Sequence, residues 1–325
     1  MLAYIIRRLL YSVPILVGVN LLTFALFFMV NTPDQMAEVQ LGHKHISQEA
    51  IDQWKAQRGY DKPLFFNDRD DSAGLFSDTI FFDKSLRLFV FDFGKSDEGR
   101  IIGADIAQRM WPSLALALPT FVIGILVNIV FALFIVMFRA SLFDTAAMVF
   151  CVALMSVSGV FYIFAGQFFF AKLWHLVPIS GYLSGADAIR FLILPVIIGV
   201  IAGIGGGTRL YRTLFLEEAN KDYVRTARAK GVSELSVLFR HILPNGLIPV
   251  LTSVVVVIPS LFMGSLLMES FFGIPGLGSY TLEAIQAQDF AVVRSMVFLG
   301  SVLYIIGLIL TDISYTLADP RVRLS

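Results

Sequence analysis

Long apolar runs alternate with polar stretches of very unequal length along this chain. The runs lie near residues 9–30, 112–138, 146–171, 189–207, 246–268 and 291–316. A bilayer core about 30 Å thick takes about 20 helical residues to cross. The pattern therefore predicts an all-α polytopic membrane protein with six transmembrane helices. The first run is longer than a secretory h-region of about 7–15 residues, and the polar sequence NTPDQM after it holds no small-x-small cleavage site. We expect an uncleaved first span. The organisation expected is a tail and first helix (1–30), an extracytoplasmic segment (31–111) and a five-helix core (112–325) that carries a polar loop at 208–245.

Basic residues in short loops set orientation. Arg7 and Arg8 flank the first run, Arg139 lies in the turn RASLFD, and Arg321 and Arg323 close the chain. The largest basic cluster falls between runs four and five. With six spans all of these share one side, so the N and C termini are expected to be cytoplasmic. The segment 31–111 then lies outside. It is acidic, with Asp68, Asp70, Asp71, Asp78, Asp83, Asp97 and Glu98. Within it, Ser47 has the position of an N-cap for a helix through Arg58, Ile46 and Ile51 stand at staple spacing, and Gly59 and Pro63 end the helix. DRDDSAG reads as a surface loop. His43 and His45 lack further ligands nearby and read as solvated.

The interruption from Thr208 to Pro244 reads as helix, glycine break, helix. Glu217 and Glu218 stand in the first turns of its first helix, with Glu217 and Lys221 at i,i+4 spacing. Gly231 stands where a left-handed residue would end that helix. Ser233 has the position of an N-cap for the next helix, and Pro244 limits it. Leu235, Leu238, Phe239 and Ile242 fall on one helical face.

Composition narrows the function. The 325 residues are 57% hydrophobic, and 25 Lys and Arg balance 25 Asp and Glu. No electrostatic case for nucleic acid exists. The single cysteine, Cys151, rules out an intramolecular disulfide. Gly94-Lys95-Ser96 resembles the end of a phosphate loop, but the earlier glycine is replaced by Phe89. Asp92-Phe93-Gly94 matches a kinase triplet without its companions. No catalytic residue is expected. The glycines from Gly203 to Gly207 suit flexibility or close helix packing. Asn20, Asn128 and Gln167 suit interhelical hydrogen bonds. The spans carry no ladder of buried carboxylates and basic groups of the kind an ion-coupled carrier uses. Glu269 stands at a membrane boundary, facing water, protein or a transport path. Near it Gly273, Pro275, Gly276 and Gly278 break the helix, and all five are candidates for a translocation path or gate.

The stretch DYVRTARAKGVSELSVLFRHILPN resembles the cytoplasmic signature loop of ABC-type importer permeases. Gly231 takes the glycine place, Ala227 the second alanine and Leu243-Pro244 the closing pair. Arg225, Thr226 and His241 depart from the general pattern. The departures themselves resemble the dipeptide/oligopeptide/nickel branch, as do IIRRLLYSVPIL, RGYDKPLF, FDFGKS, TRLYRTLFLEE, FFGIPGLG and DISYTLADPRVR. The resemblance covers nearly the whole chain and is to the first permease subunit, more to peptide than to nickel permeases. It implies the type I importer fold in the bacterial cytoplasmic (inner) membrane. It also implies a second homologous permease subunit, two cytoplasmic ATPase subunits that hold ATP and Mg, an extracytoplasmic solute-binding protein and a peptide substrate. No cofactor is expected on this chain. The ATPase would dock on Glu218, Asp222, Tyr223, Arg225, Thr226, Ala227, Arg228, Ala229, Lys230, Gly231, Leu243 and Pro244, with Tyr223 and Ala227 as flat or small contacts. The competing classes are an ATP-independent carrier or channel and a membrane receptor or scaffold.

Overall fold

The structure, a computed structural model, describes residues 2–42, 46–67 and 76–318. His43, His45, the whole DRDDSAG loop with Asp68, Asp70 and Asp71, Arg321 and Arg323 lie outside them. The described residues are helical, with one isolated bridge between Lys95 and Ile101 and no strand. In chain order the helices are α1 (Leu2–Ala25), α2 (Pro33–Leu41), α3 (Gln48–Arg58), α4 (Ile80–Lys84), α5 (Ile102–Met137), α6 (Leu142–Ser156) and α7 (Gly159–Gly166). They continue with α8 (Ala188–Ala219), α9 (Asp222–Ala229), α10 (Glu234–Val237), α11 (Leu243–Val255), α12 (Leu266–Phe272), α13 (Leu277–Ala287) and α14 (Phe290–Ala318).

Five helical stretches are long and apolar enough to cross a membrane: Ile6–Val30, Ile102–Met137, Ala188–Ala219, Glu234–Val255 and Phe290–Ser314. Two further pairs qualify only as bent units: Leu142–Ser156 with Gly159–Leu173, at 89°, and Ile258–Phe272 with Leu277–Ala287, at 70°. The third run is therefore not one straight helix. Val157 and Ser158 are extended, between serine and glycine, residues that favour breaks over helix interiors. The Tyr162 hydroxyl donates to the Leu154 carbonyl across the bend, at 2.8 Å. The fifth run also breaks. Gly264, with φ 71°, separates a 3-10 turn from α12.

The chain divides into two compact units. The first holds residues 1–108 and 280–306, and the second holds 109–279 and 307–325. In the first, the described residues between the first span and α5 are folded. Thr32 and Gln35 form a reciprocal capping box at the start of α2. Ser47 caps α3 through the Ala50 N–H, and Gly59 ends it in the left-handed region, both where the sequence placed them. Ile51 and Trp54 of α3, Tyr60, Ile80 and Met36 bury themselves against Phe24 and Phe28 of the first span, with Ile46 packed beside them. Phe24 stacks edge-on against Phe65 and Phe81 at 5.3 and 5.0 Å. Asn20 in that span bonds Ser85.

The second unit has two cores. One gathers Leu133 and Val136 of α5, Tyr211 and Phe215 of α8, and Val224, Val237 and Ile242 of the polar loop. The other joins Leu116, Ile163, Leu194, Ile198 and Phe272. The glycine run serves close packing. A Cβ on Gly205 would run into the Cys151 carbonyl and Met155, and one on Gly207 into Asn128. Asn128 accepts from the Thr208 hydroxyl at 2.9 Å, and Gln167 donates to the carbonyls of Ile179 and Phe271. One half-buried ion pair escaped the sequence reading. Arg212 of α8 holds Asp144 of α6 through two bonds, Nε to Oδ1 at 2.9 Å and Nη2 to Oδ2 at 2.8 Å.

Candidate functional site

The polar loop begins later than its sequence implies. TRLYRTLFLEEA does not open a new helix but completes α8, so Glu217 and Glu218 stand in the last turn of a long helix. Phe215 and Ala219 are buried, and their apolar spacing continues the periodicity of the span. The chain breaks at Asn220 and Lys221. Lys221 is extended, and its ammonium pairs with Glu218 at 3.5 Å, not with Glu217.

Helix α9 then presents two faces. Val224 and Ala227 are buried in the core with α5 and α8. Asp222, Arg225, Thr226, Ala229 and Lys230 are exposed. Ala227 is thus an internal anchor rather than a contact surface. The helix ends as expected. Gly231 has φ 76°, its N–H donates to the Arg228 carbonyl at 2.9 Å, and the Val232 N–H donates to the Ala227 carbonyl at 3.3 Å. The space around Gly231 is open, so backbone conformation alone selects glycine there.

Ser233 is the extended residue before α10, without a side-chain cap bond. Pro244 does not stop the second helix. The helix passes through a π turn at Leu238–Ile242 and runs on into α11, with Leu243 and Pro244 directly after that turn. Val237, Leu238 and Ile242 are buried, whereas Leu235 and Phe239 point outward.

Polar contacts brace the loop. Arg228 clamps Glu234 at 2.8 and 3.2 Å across the glycine, and its Nη1 reaches the Ala219 carbonyl at 3.4 Å. The Tyr223 hydroxyl donates to Glu218 at 2.6 Å. Burial, with the adjacent Glu218 carboxylate, pushes the Tyr223 phenol up to about 12.

The second candidate site centres on Glu269. Its side chain is fully buried. Oε1 accepts from the Ser265 N–H at 3.1 Å and Oε2 from the Ser279 N–H at 3.0 Å. Ser113 of α5 stands beside it and accepts from the Leu277 N–H at 2.7 Å. A Cβ on Gly264 or Gly276 would strike the Glu269 carboxylate and Ser113, and one on Gly278 would strike the backbone at Ser265 and Leu266. Gly273 ends α12 in the left-handed region and, like Pro275, is exposed. Of the three environments left open for Glu269, protein is the one found. The carboxylate ties α12, α13 and α5 together. An apolar cavity of about 370 Å³ opens next to this junction, lined by Ser113, Thr120, Phe121, Leu261, Gly264 and Met268.

The structure thus presents a helical membrane chain with a braced helix–glycine–helix loop and a buried junction of broken helices. The chain belongs to the family of binding-protein-dependent transport system inner membrane components, whose profile matches residues 113–324. The N-terminal profile of the same kind of protein matches residues 1–86. A putative peptide transport system permease protein of Brucella abortus is 34% identical, with 99% of each chain covered. The di/tripeptide transport system permease protein DppB of Pseudomonas aeruginosa is 32% identical and the dipeptide transport system permease protein DppB of Escherichia coli 28%, both again over 99% of each chain.

Proposed function

We propose that this chain is the permease subunit of an ATP-driven peptide importer of the bacterial inner membrane. The names of the relatives support a peptide substrate. In this reading it works with a second, homologous permease, two ATPase subunits that bind ATP and Mg, and an extracytoplasmic solute-binding protein that delivers the peptide. No catalytic residue or cofactor is assigned to the chain itself. Its termini and the loop at 208–245 face the cytoplasm, as the basic short loops favour.

The observation that carries the coupling role is the two-faced loop. Val224 and Ala227 fix α9 to the spans, while Arg225, Thr226, Lys230, Leu235 and Phe239 remain on the surface. Exposed apolar and cationic side chains on one anchored element suit a protein partner. Glu218, Tyr223, Arg228, Gly231, Leu243 and Pro244 give the loop its shape. ATP-driven closure of the partner would then shift a two-state arrangement of the spans. Around the broken helices, Gly264, Glu269 and Gly276 form the junction that holds the path together.

Gly231→Val tests this reading, because a β-branched residue disfavours the positive φ while meeting no neighbour. The complex is expected to assemble but to lose ATP hydrolysis stimulated by loaded binding protein. Gly231→Asn, which tolerates that conformation, is expected to keep it. Unchanged peptide uptake by Gly231→Val would refute the coupling role.

A further inference from the structure

The first unit contains a basic cavity that the coupling role does not use. It has a volume of about 240 Å³ and is lined by five cationic side chains, Lys62, Lys84, Arg87, Lys95 and Arg294. Two carboxylates, Asp83 and Asp92, also line it, but both are engaged. Asp83 pairs with Lys62 at 2.6 Å and Arg87 at 3.4 Å, and Asp92 lies 3.7 Å from Arg87. Lys84, Lys95 and Arg294 form no ion pair among the described residues.

Arg294 is the unusual member. It is only 3% exposed, and its Nε and Nη1 have no hydrogen-bond partner among the described residues. Tyr60 bonds the same guanidinium, but the two buried N–H groups left without acceptors remain costly, by several kcal/mol on general grounds. The Phe28 ring, 5.4 Å from the guanidinium, offsets part of that cost. The acid just before its helix, Asp289, does not close the gap. The Asp289 carboxylate accepts from the N–H groups of Asp97 and Val292 at 2.8 and 3.1 Å. Burial, followed by the charge of Arg294, lowers the Lys84 ammonium from its ordinary value. A second cavity of about 470 Å³ shares Lys84, Lys95 and Ala291 with the first, so there is room for a ligand larger than one charged group.

We infer that this cavity is a carboxylate-binding site, with Arg294 at its base and Lys84 and Lys95 at its sides. Three cations without counter-ions call for an anion. Two fixed carboxylates in the same wall oppose a multiply charged phosphate more than a single carboxylate. The buried apolar walls of Leu88 and Phe93 fit the hydrocarbon beside a carboxylate. The ligand is the free C-terminus of a peptide or the acidic side chain of a partner, and the chemistry at Arg294 is the same for both. The site does not depend on the coupling role proposed above.

Thermal melting of the purified full chain in detergent micelles tests the assignment. Millimolar trialanine is expected to raise the midpoint by about 2–4 °C, and its C-terminal amide by nothing. Arg294→Gln and Lys84→Gln are each expected to remove the shift. Lys84→Gln keeps the test open if Arg294→Gln does not fold. N-acetyl-aspartyl amide, whose only carboxylate is on its side chain, separates the sources: a shift equal to that of trialanine assigns the site to acidic side chains as well, and no shift assigns it to peptide termini. Equal shifts with trialanine and its amide would overturn the assignment. So would retention of the full shift in both variants, or a response to inorganic phosphate alone.

Discussion

At the scale of single residues, Glu269 is a structural carboxylate before it is anything else. Its two oxygens satisfy the N–H groups of Ser265 and Ser279 where α12 and α13 meet. Glu269→Ala leaves both donors buried without acceptors, at about 1–3 kcal/mol each. We predict a clear loss of thermal stability for Glu269→Ala and a smaller one for Glu269→Gln, which keeps one acceptor oxygen. Denaturation of the two variants in the same detergent ranks them. Tyr223 makes a different prediction. Its folded value of about 12 lies above the ordinary 10, so the neutral phenol is favoured by folding. That contribution is fully present below pH 10 and is lost as pH rises from there through about 12. The ultraviolet difference between wild type and Tyr223→Phe is expected to titrate near 12, above the ordinary tyrosine range.

At the scale of elements, the α6–α8 contact depends on a clamp that one-dimensional reading does not reveal. Arg212 counts as one of several loop cations in the sequence, and Asp144 as a residue near a turn. Only folding brings them together, 68 positions apart, with side chains 19% and 11% exposed. Arg212→Ala leaves Asp144 with the Ala140 N–H as its remaining donor, so we predict a loss of about 1–3 kcal/mol. Asp144→Asn in the same chain is expected to recover part of it, and a double-mutant cycle measures the coupling. The same distinction explains what was legible. Ser47, Gly59 and Gly231 act through bonds to residues a few positions away, so their roles were visible in the sequence. Four apolar runs were legible as continuous helices for a similar local reason. The junction of Ser113, Glu269 and Ser279 depends on a partner distant in the chain, Ser113 of α5. The bend after Ser156 did carry a local signal, the serines and glycine around Val157, which the length of the apolar run concealed. The register of Leu235 and Phe239 failed because both are exposed, while Val237, Leu238 and Ile242 carry the buried face.

At the scale of the whole molecule, much of the apolar surface is uncovered. Leu22, Val130, Val149 and Phe161 are all exposed, on helices with few charges to interrupt them. Such surface requires lipid or other protein subunits to cover it. Family membership gives that requirement a context, since a component of a binding-protein-dependent system works within an assembly. An independent carrier would behave differently. Reconstituted alone in liposomes, the chain is expected to move no peptide under an ion gradient or a membrane potential. Peptide flux by the isolated chain would place it in the carrier class.

The length of α8 has a mechanical consequence. Its 32 residues span about 48 Å at 1.5 Å per residue, longer than the roughly 30 Å of a bilayer core. Thr208 and Arg212 fasten its far third to α5 and α6, and the break at Asn220 follows directly. A tilt of about 5° over that length displaces the tip by ~4 Å, comparable to a helical rise of three residues. A push of a few ångströms at one end thus corresponds to only a slight change of angle at the other, and the helix can act as a gear between large and small movements.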